Sequence, residues 1–112
     1  MAGTPKRLFG PLALTNTLTT NIYVPPSALI FDILRHIHIA NKTSGAVTFS
    51  LYLGATGANA AGTELFNTVS IAAYSTFDWY GALKMVSTDF LVGGASASTS
   101  LTITGTGESI VV

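Results

Sequence analysis

The sequence contains no cysteine, which excludes a disulfide scaffold and any thiolate metal site. It is almost as poor in charge. Five Lys/Arg balance five Asp/Glu, and charged residues make up 9% of the chain, against about 25% in an ordinary soluble domain. A neutral balance lacks the basic stripe that an electrostatic nucleic-acid binder needs, so no nucleic-acid partner is expected. With 48% hydrophobic residues, the chain has enough apolar surface to offset the entropy of folding, which argues against disorder. Long apolar runs are missing too. The longest charge-free stretch, Leu8 to Phe31, is interrupted by Gly10, Pro11, Asn16, Asn21, Pro25 and Pro26. A membrane-spanning helix takes about 20 predominantly apolar residues, so no membrane partner is expected either. Helical periodicity is absent beyond windows of about ten residues, apart from one possible turn near Gly81–Val86.

What is present is a period of two. Ile33, Arg35, Ile37 and Ile39 alternate with Leu34, His36, His38 and Ala40. The polar stretch Asn41-Lys42-Thr43-Ser44-Gly45 follows, and then Val47, Phe49, Leu51 and Leu53 alternate with Thr48, Ser50 and Tyr52. The pattern predicts a β-hairpin of two alternating strands around a short Gly-containing loop. Further strands are predicted over Thr17–Val24, Leu65–Ile71, Thr76–Tyr80, Phe90–Val92, Ser100–Thr104 and Ile110–Val112. About eight short strands at turn-punctuated intervals indicate an all-β, single-domain antiparallel β-sandwich or jelly roll. Gly54–Thr63 is small and polar and reads as a long exposed loop. At the other end of the chain, Lys6 and Arg7 precede Leu8–Leu14, a weak likeness to a signal peptide. The apolar part is short and broken by Gly10-Pro11, so residues 1–14 are expected to form an extended N-terminal arm and residues 15–112 the sandwich.

Candidate chemistry is sparse. His36 and His38 form an H-x-H pair, with Asp32 at the same parity. Two imidazoles and a carboxylate are a possible metal-ligand set. A cupin-like site would also need a following Glu and a third His, and the sequence has only two His. The expectation is therefore no metal and no cofactor. Asn41-Lys42-Thr43 matches a glycosylation acceptor. No G-x-S-x-G elbow and no phosphate-binding glycine pattern occurs, so no catalytic residue is assigned and no enzymatic activity is expected. Phe77 and Trp79 share one strand face and are expected in the core, with Tyr80 on the other side. Tyr52, Tyr74 and Tyr80 are the aromatic candidates for a carbohydrate- or host-surface-binding face.

The order of these features carries a resemblance. Thr4-Pro5-Lys6-Arg7-Leu8 and Gly10-Pro11 lead to Ile22-Tyr23-Val24-Pro25. Then follow Ile33 to Asn41, Val47-Thr48-Phe49-Ser50-Leu51, Leu65-Phe66 and Phe77-Asp78-Trp79. Over about its first eighty residues the chain resembles small virion-associated proteins encoded among the structural genes of tailed bacteriophages. The resemblance implies a virion component made in the bacterial host cytoplasm. It also implies a homo-oligomer, expected as a trimer, with the major capsid protein or other virion proteins as partners. Capsid decoration (cement) is the leading expectation, and a minor tail or neck protein is the alternative. A carbohydrate-binding module is the alternative from outside that class. Low charge suits a subunit that buries its surface against neighbours. Lys6, Arg7, Leu8 and Phe9 of the arm, with Tyr52 and Tyr80, are the candidate interaction residues.

Overall fold

The computed structural model describes residues 3–54, 59 and 61–111. The chain is all-β, with eight strands: β1 Thr4–Ala13, β2 Asn21–Tyr23, β3 Ile30–Asn41, β4 Val47–Gly54, β5 Glu64–Ile71, β6 Thr76–Met85, β7 Phe90–Ala95 and β8 Leu101–Val111. They form two four-stranded antiparallel sheets, ordered β1-β8-β3-β6 and β2-β7-β4-β5. Among the described residues there is no helix. The turn expected near Gly81–Val86 is the end of β6, held in register with β3 through Leu83, Lys84 and Met85.

Two expectations are corrected by the pairing. The β3–β4 segment is not a hairpin, because β3 lies in one sheet and β4 in the other. The connection is instead an arch built around Asn41, which is buried. Its side-chain amide nitrogen reaches the carbonyls of Gly45 at 2.9 Å, Ile71 at 3.0 Å and Ala72 at 3.2 Å. Its Oδ1 accepts from the backbone and the hydroxyl of Thr43. Those bonds close Asn41 as a glycosylation acceptor in the folded chain. The second correction concerns the N-terminal segment. Residues 4–13, expected as an arm, run as β1 along β8, and Leu8, Phe9 and Leu14 are buried in the core. Apolar side chains in this stretch gain more by burial against β8 than by projecting into solvent. Met1 and Ala2 of the expected arm, Ala55–Ala58 and Ala60 of the Gly54–Thr63 loop, and Val112 lie outside the described residues.

The core is one cluster between the sheets. The first sheet contributes Leu34, Ile37, Ile39, Met85, Leu101 and Ile103, and the second contributes Val47, Phe49, Leu51, Ile71, Leu91 and Ala95. Phe49 of β4 lies 5.2 Å from Phe77 of β6 between ring centroids, and Phe66 of β5 lies 5.5 Å from Phe77. These tilted and edge-on contacts lock the two sheets together at one end. Gly105 of β8 serves the same core in another way. Its partner across the strands is Phe9, and a Cβ on Gly105 would meet the Phe9 ring at 2.2 Å. The ring of β1 therefore fills the space that a side chain of β8 would have taken.

A polar tie joins the sheets as well. Asp32 of β3 is fully buried. It accepts hydrogen bonds from the Tyr23 hydroxyl of β2 and the Ser109 hydroxyl of β8. A buried carboxylate is tolerated only when its lone pairs are satisfied. Burial, and then the hydrogen bond to Asp32 and its charge, push the Tyr23 hydroxyl well above its ordinary 10.0.

Two outcomes follow. Gly105→Ala is expected to cost about 1–3 kcal/mol in urea unfolding, and much less in a Phe9→Ala background, where the clash is gone. Equal costs in both backgrounds would contradict the packing. Because the folded-state value of Tyr23 is raised, its contribution to stability is fully present below pH 10.0 and is lost as pH rises above 10.0 through the raised folded-state value. Tyr23→Phe is expected to cost about 1–3 kcal/mol at neutral pH and to flatten the alkaline decline. An unchanged alkaline limb in that variant would show that Tyr23 is not its source.

Candidate functional site: a His–His–Asp cluster on the outer sheet face

The geometry of β3 decides which residues meet. From Leu34 to His36, β3 advances two residues while β8 advances one, from Gly107 to Thr106. Arg35 is the extra residue, a β-bulge that switches the faces of the strand. Before it, Asp32 and Leu34 point inward. After it, Ile37, Ile39 and Asn41 do so, and His36 and His38 point outward. Asp32 therefore does not join the histidines, although it shares their parity, and Ile33 does not share a face with Ile37 and Ile39.

The carboxylate that meets the histidines comes from β6. Phe77 and Trp79 turn toward the core, which turns Asp78 and Tyr80 outward. Register places Asp78 opposite His38 and Tyr80 opposite His36. Nε2 of His36 and Nδ1 of His38 each lie 2.7 Å from Asp78 Oδ1. The hydrogen bonds from His38 and then His36 hold the Asp78 carboxyl below its ordinary 3.8. An ionised carboxylate only accepts, so both ring nitrogens carry protons and donate. The Tyr80 ring stacks on His36, 4.4 Å away and within 1° of parallel, which fixes the imidazole plane. Across β8, Thr106 and Thr104 flank His36 and His38, and Arg7 of β1 is in register with Thr106. Among the described residues the hydrogen-bond partner of both imidazoles is Asp78, and neither is bonded to a hydroxyl.

The other candidates are scattered. Lys6 and Arg7 are exposed on β1. Leu8, Phe9 and Tyr52 are buried and unavailable to a partner. Tyr80 and Tyr74 are each 73% exposed. Of the proposed aromatic face, only these two tyrosines remain at the surface, and Tyr80 already covers His36. Asp78 is the residue that sequence reasoning did not attach to the histidines. The Phe77/Trp79 alternation implies its outward direction, but the register that brings it to His38 is a long-range fact.

No family model, characterised protein or solved structure matches the chain.

In a carbon-13 titration the Asp78 carboxyl is expected to titrate below 3.8. Its value should return toward 3.8 when both His36 and His38 are replaced by Ala. Since the folded-state value is depressed, the linked stability is present above the ordinary value and is lost as pH falls through the depressed one. A wild-type midpoint at or above 3.8 would contradict the paired geometry.

Proposed function

We propose that this chain is a non-enzymatic structural component of a tailed-phage virion, an oligomeric and trimeric decoration subunit that stabilises the head. The strand order frames the reading, and the weakly charged, partly apolar surface carries it. In β1-β8-β3-β6 over β2-β7-β4-β5, every connection except β4–β5 crosses between the sheets. An eight-stranded double Greek key rolled into a jelly roll has this order, and viral capsid domains, lectins and cupins all use that architecture. Fold alone does not choose among them, so the choice rests on the surfaces.

An enclosed cupin-like metal centre needs ligands on the inner face of the roll. Here His36 and His38 are on the outer face, and the inward polar groups Asp32 and Asn41 are already hydrogen-bonded within an otherwise apolar interior. A sugar platform is served best by several free aromatic faces, but Tyr52 is buried and one face of Tyr80 is stacked on His36, which leaves Tyr74 as the one unstacked exposed ring of the three. Assembly is better served. The open edge between β5 and β6 leaves Leu65, Phe66, Trp79 and Leu83 only partly buried, around a cavity of about 110 Å³. Leu29, Val111 and Tyr80 are exposed. Apolar surface on so weakly charged a chain suits burial against other subunits. A cement subunit would act by covering apolar area across capsomer contacts, at about 25 cal/mol per Å² before association costs. Many copies would then hold the shell by avidity.

The test is the copy number of this chain in purified virions, by quantitative protein staining against the major capsid protein. A ratio near one per capsid subunit, or one trimer per local three-fold, is expected. A ratio of a few per cent would move the protein to the tail or neck. Its absence from the particle would overturn the virion reading.

A further inference from the structure

We propose that His36, His38 and Asp78 form a binding site for one divalent transition-metal ion of the zinc class on the outer face of the first sheet. This inference stands apart from the virion reading and needs no part of it.

Ligand type comes first. Two imidazole nitrogens and one carboxylate oxygen are the donor set of three-ligand zinc sites and of related Co(II), Ni(II) and Fe(II) sites. Calcium and magnesium need about six oxygen ligands, and this cluster offers one carboxylate. Metals that depend on thiolates have no ligand in a chain without cysteine.

Geometry comes second. One ligand atom from each residue lies within 4.8 Å of the others. Zinc bonds of about 2.0–2.2 Å place tetrahedral ligands roughly 3.3 Å apart. The Asp78 oxygen, now 2.7 Å from each imidazole nitrogen, has to withdraw by about 0.6 Å, and the two imidazole nitrogens, within 4.8 Å of each other, have to close to the same spacing by small side-chain rotations. The cation would take the place of the two N–H protons now shared with Asp78, and each neutral ring would then carry its proton on the opposite nitrogen, Nδ1 of His36 and Nε2 of His38. The same three atoms would therefore be held by the ion instead of by hydrogen bonds.

Preorganisation comes third. His36 and His38 are two apart on β3, a central strand paired on both sides. Asp78 is directly opposite His38 on β6, and the Tyr80 ring holds His36 in plane. Sites on strands keep their ligands better placed than sites on loops. The side chains are 27%, 41% and 33% exposed, so the fourth coordination position faces outward. Water fills it in the isolated chain, and an added donor ligand can replace that water.

The test uses full-length chain without a histidine tag. Zn²⁺ alone is titrated calorimetrically, and Co²⁺ is titrated with visible absorption. Binding of one ion per chain is expected, with a four-coordinate Co²⁺ spectrum. Replacing His38 or Asp78 by Ala is expected to weaken binding at least about tenfold. Replacing both histidines by Gln, which keeps polar side chains at these half-exposed positions, is expected to abolish it. A readout free of variants is the ring-nitrogen NMR spectrum of the wild type. Zn²⁺ should move Nε2 of His36 and Nδ1 of His38 far more than the opposite nitrogens. Binding that survives the double Gln variant would overturn the proposal. So would wild-type binding no tighter than that variant's, or ring nitrogens that do not respond to Zn²⁺.

Discussion

The single extra residue at Arg35 determines how the rest of the first sheet is used. In a regular strand every second side chain faces the same way, so Asp32, Leu34, His36 and His38 would share one face. The bulge separates them. Asp32 and Leu34 go inward, and the two histidines go outward. Neighbouring strands accommodate the step without changing their own faces. Along β8 no residue is added, and Leu101, Ile103, Gly105 and Gly107 stay inward throughout. Along β6 the stretch from Tyr80 to Leu83 takes up the offset against His36 and Leu34, and Phe77, Trp79, Leu83 and Met85 keep one parity. The edge strand β1 carries its own irregularities against β8, around Leu8 and between Phe9 and Leu12. Of the three strands β8, β3 and β6, only β3 changes sides, and it is an inner strand of the sheet.

Two consequences meet at that strand. On its inner side, Asp32 anchors Tyr23 of the opposite sheet and Ser109 of β8, a polar tie within an otherwise apolar interior. The aromatic cluster of Phe49, Phe66 and Phe77 fastens the opposite end of the sheet pair. On its outer side, His36 and His38 converge on Asp78 with Tyr80 stacked beside them. A shift of one residue in register would bury the imidazoles and expose Ile37 and Ile39, exchanging about 1.5–3 kcal/mol per buried aliphatic side chain. The outer cluster and the inner network are thus two results of one backbone irregularity.

Much of the architecture was legible in the chain itself. Period-two alternation from Ile33 to Leu53 identified β3 and β4, and Phe77/Trp79 correctly faced the core. The eight-strand expectation matched in number through compensating differences. Residues 1–14 read as an arm because Gly10-Pro11 interrupts the apolar segment, yet Leu8 and Phe9 are drawn into the core as part of β1. Ser100–Thr104 and Ile110–Val112 read as separate strands, but the small residues Gly105 and Gly107 continue β8 where neighbouring chain segments approach too closely for side chains. Asn41 read as a turn residue, while its side chain in fact organises a crossing between sheets. The missing information was long-range throughout: which strand lies beside which, and where an extra residue resets the faces. Asp78 could be turned outward from local alternation but could not be brought to His38 without the β3–β6 register.

The most direct measurement uses the absence of native cysteine. Single cysteines would be placed in turn at Leu34, His36, Ile37 and His38, and maleimide labelling of each folded variant timed. Leu34→Cys and Ile37→Cys are expected to be protected, with His36→Cys and His38→Cys labelled rapidly. Equal labelling at positions 34 and 36 would mean that alternation continues unbroken through Arg35. That result would contradict both the buried Asp32 network and the outward His–His–Asp cluster.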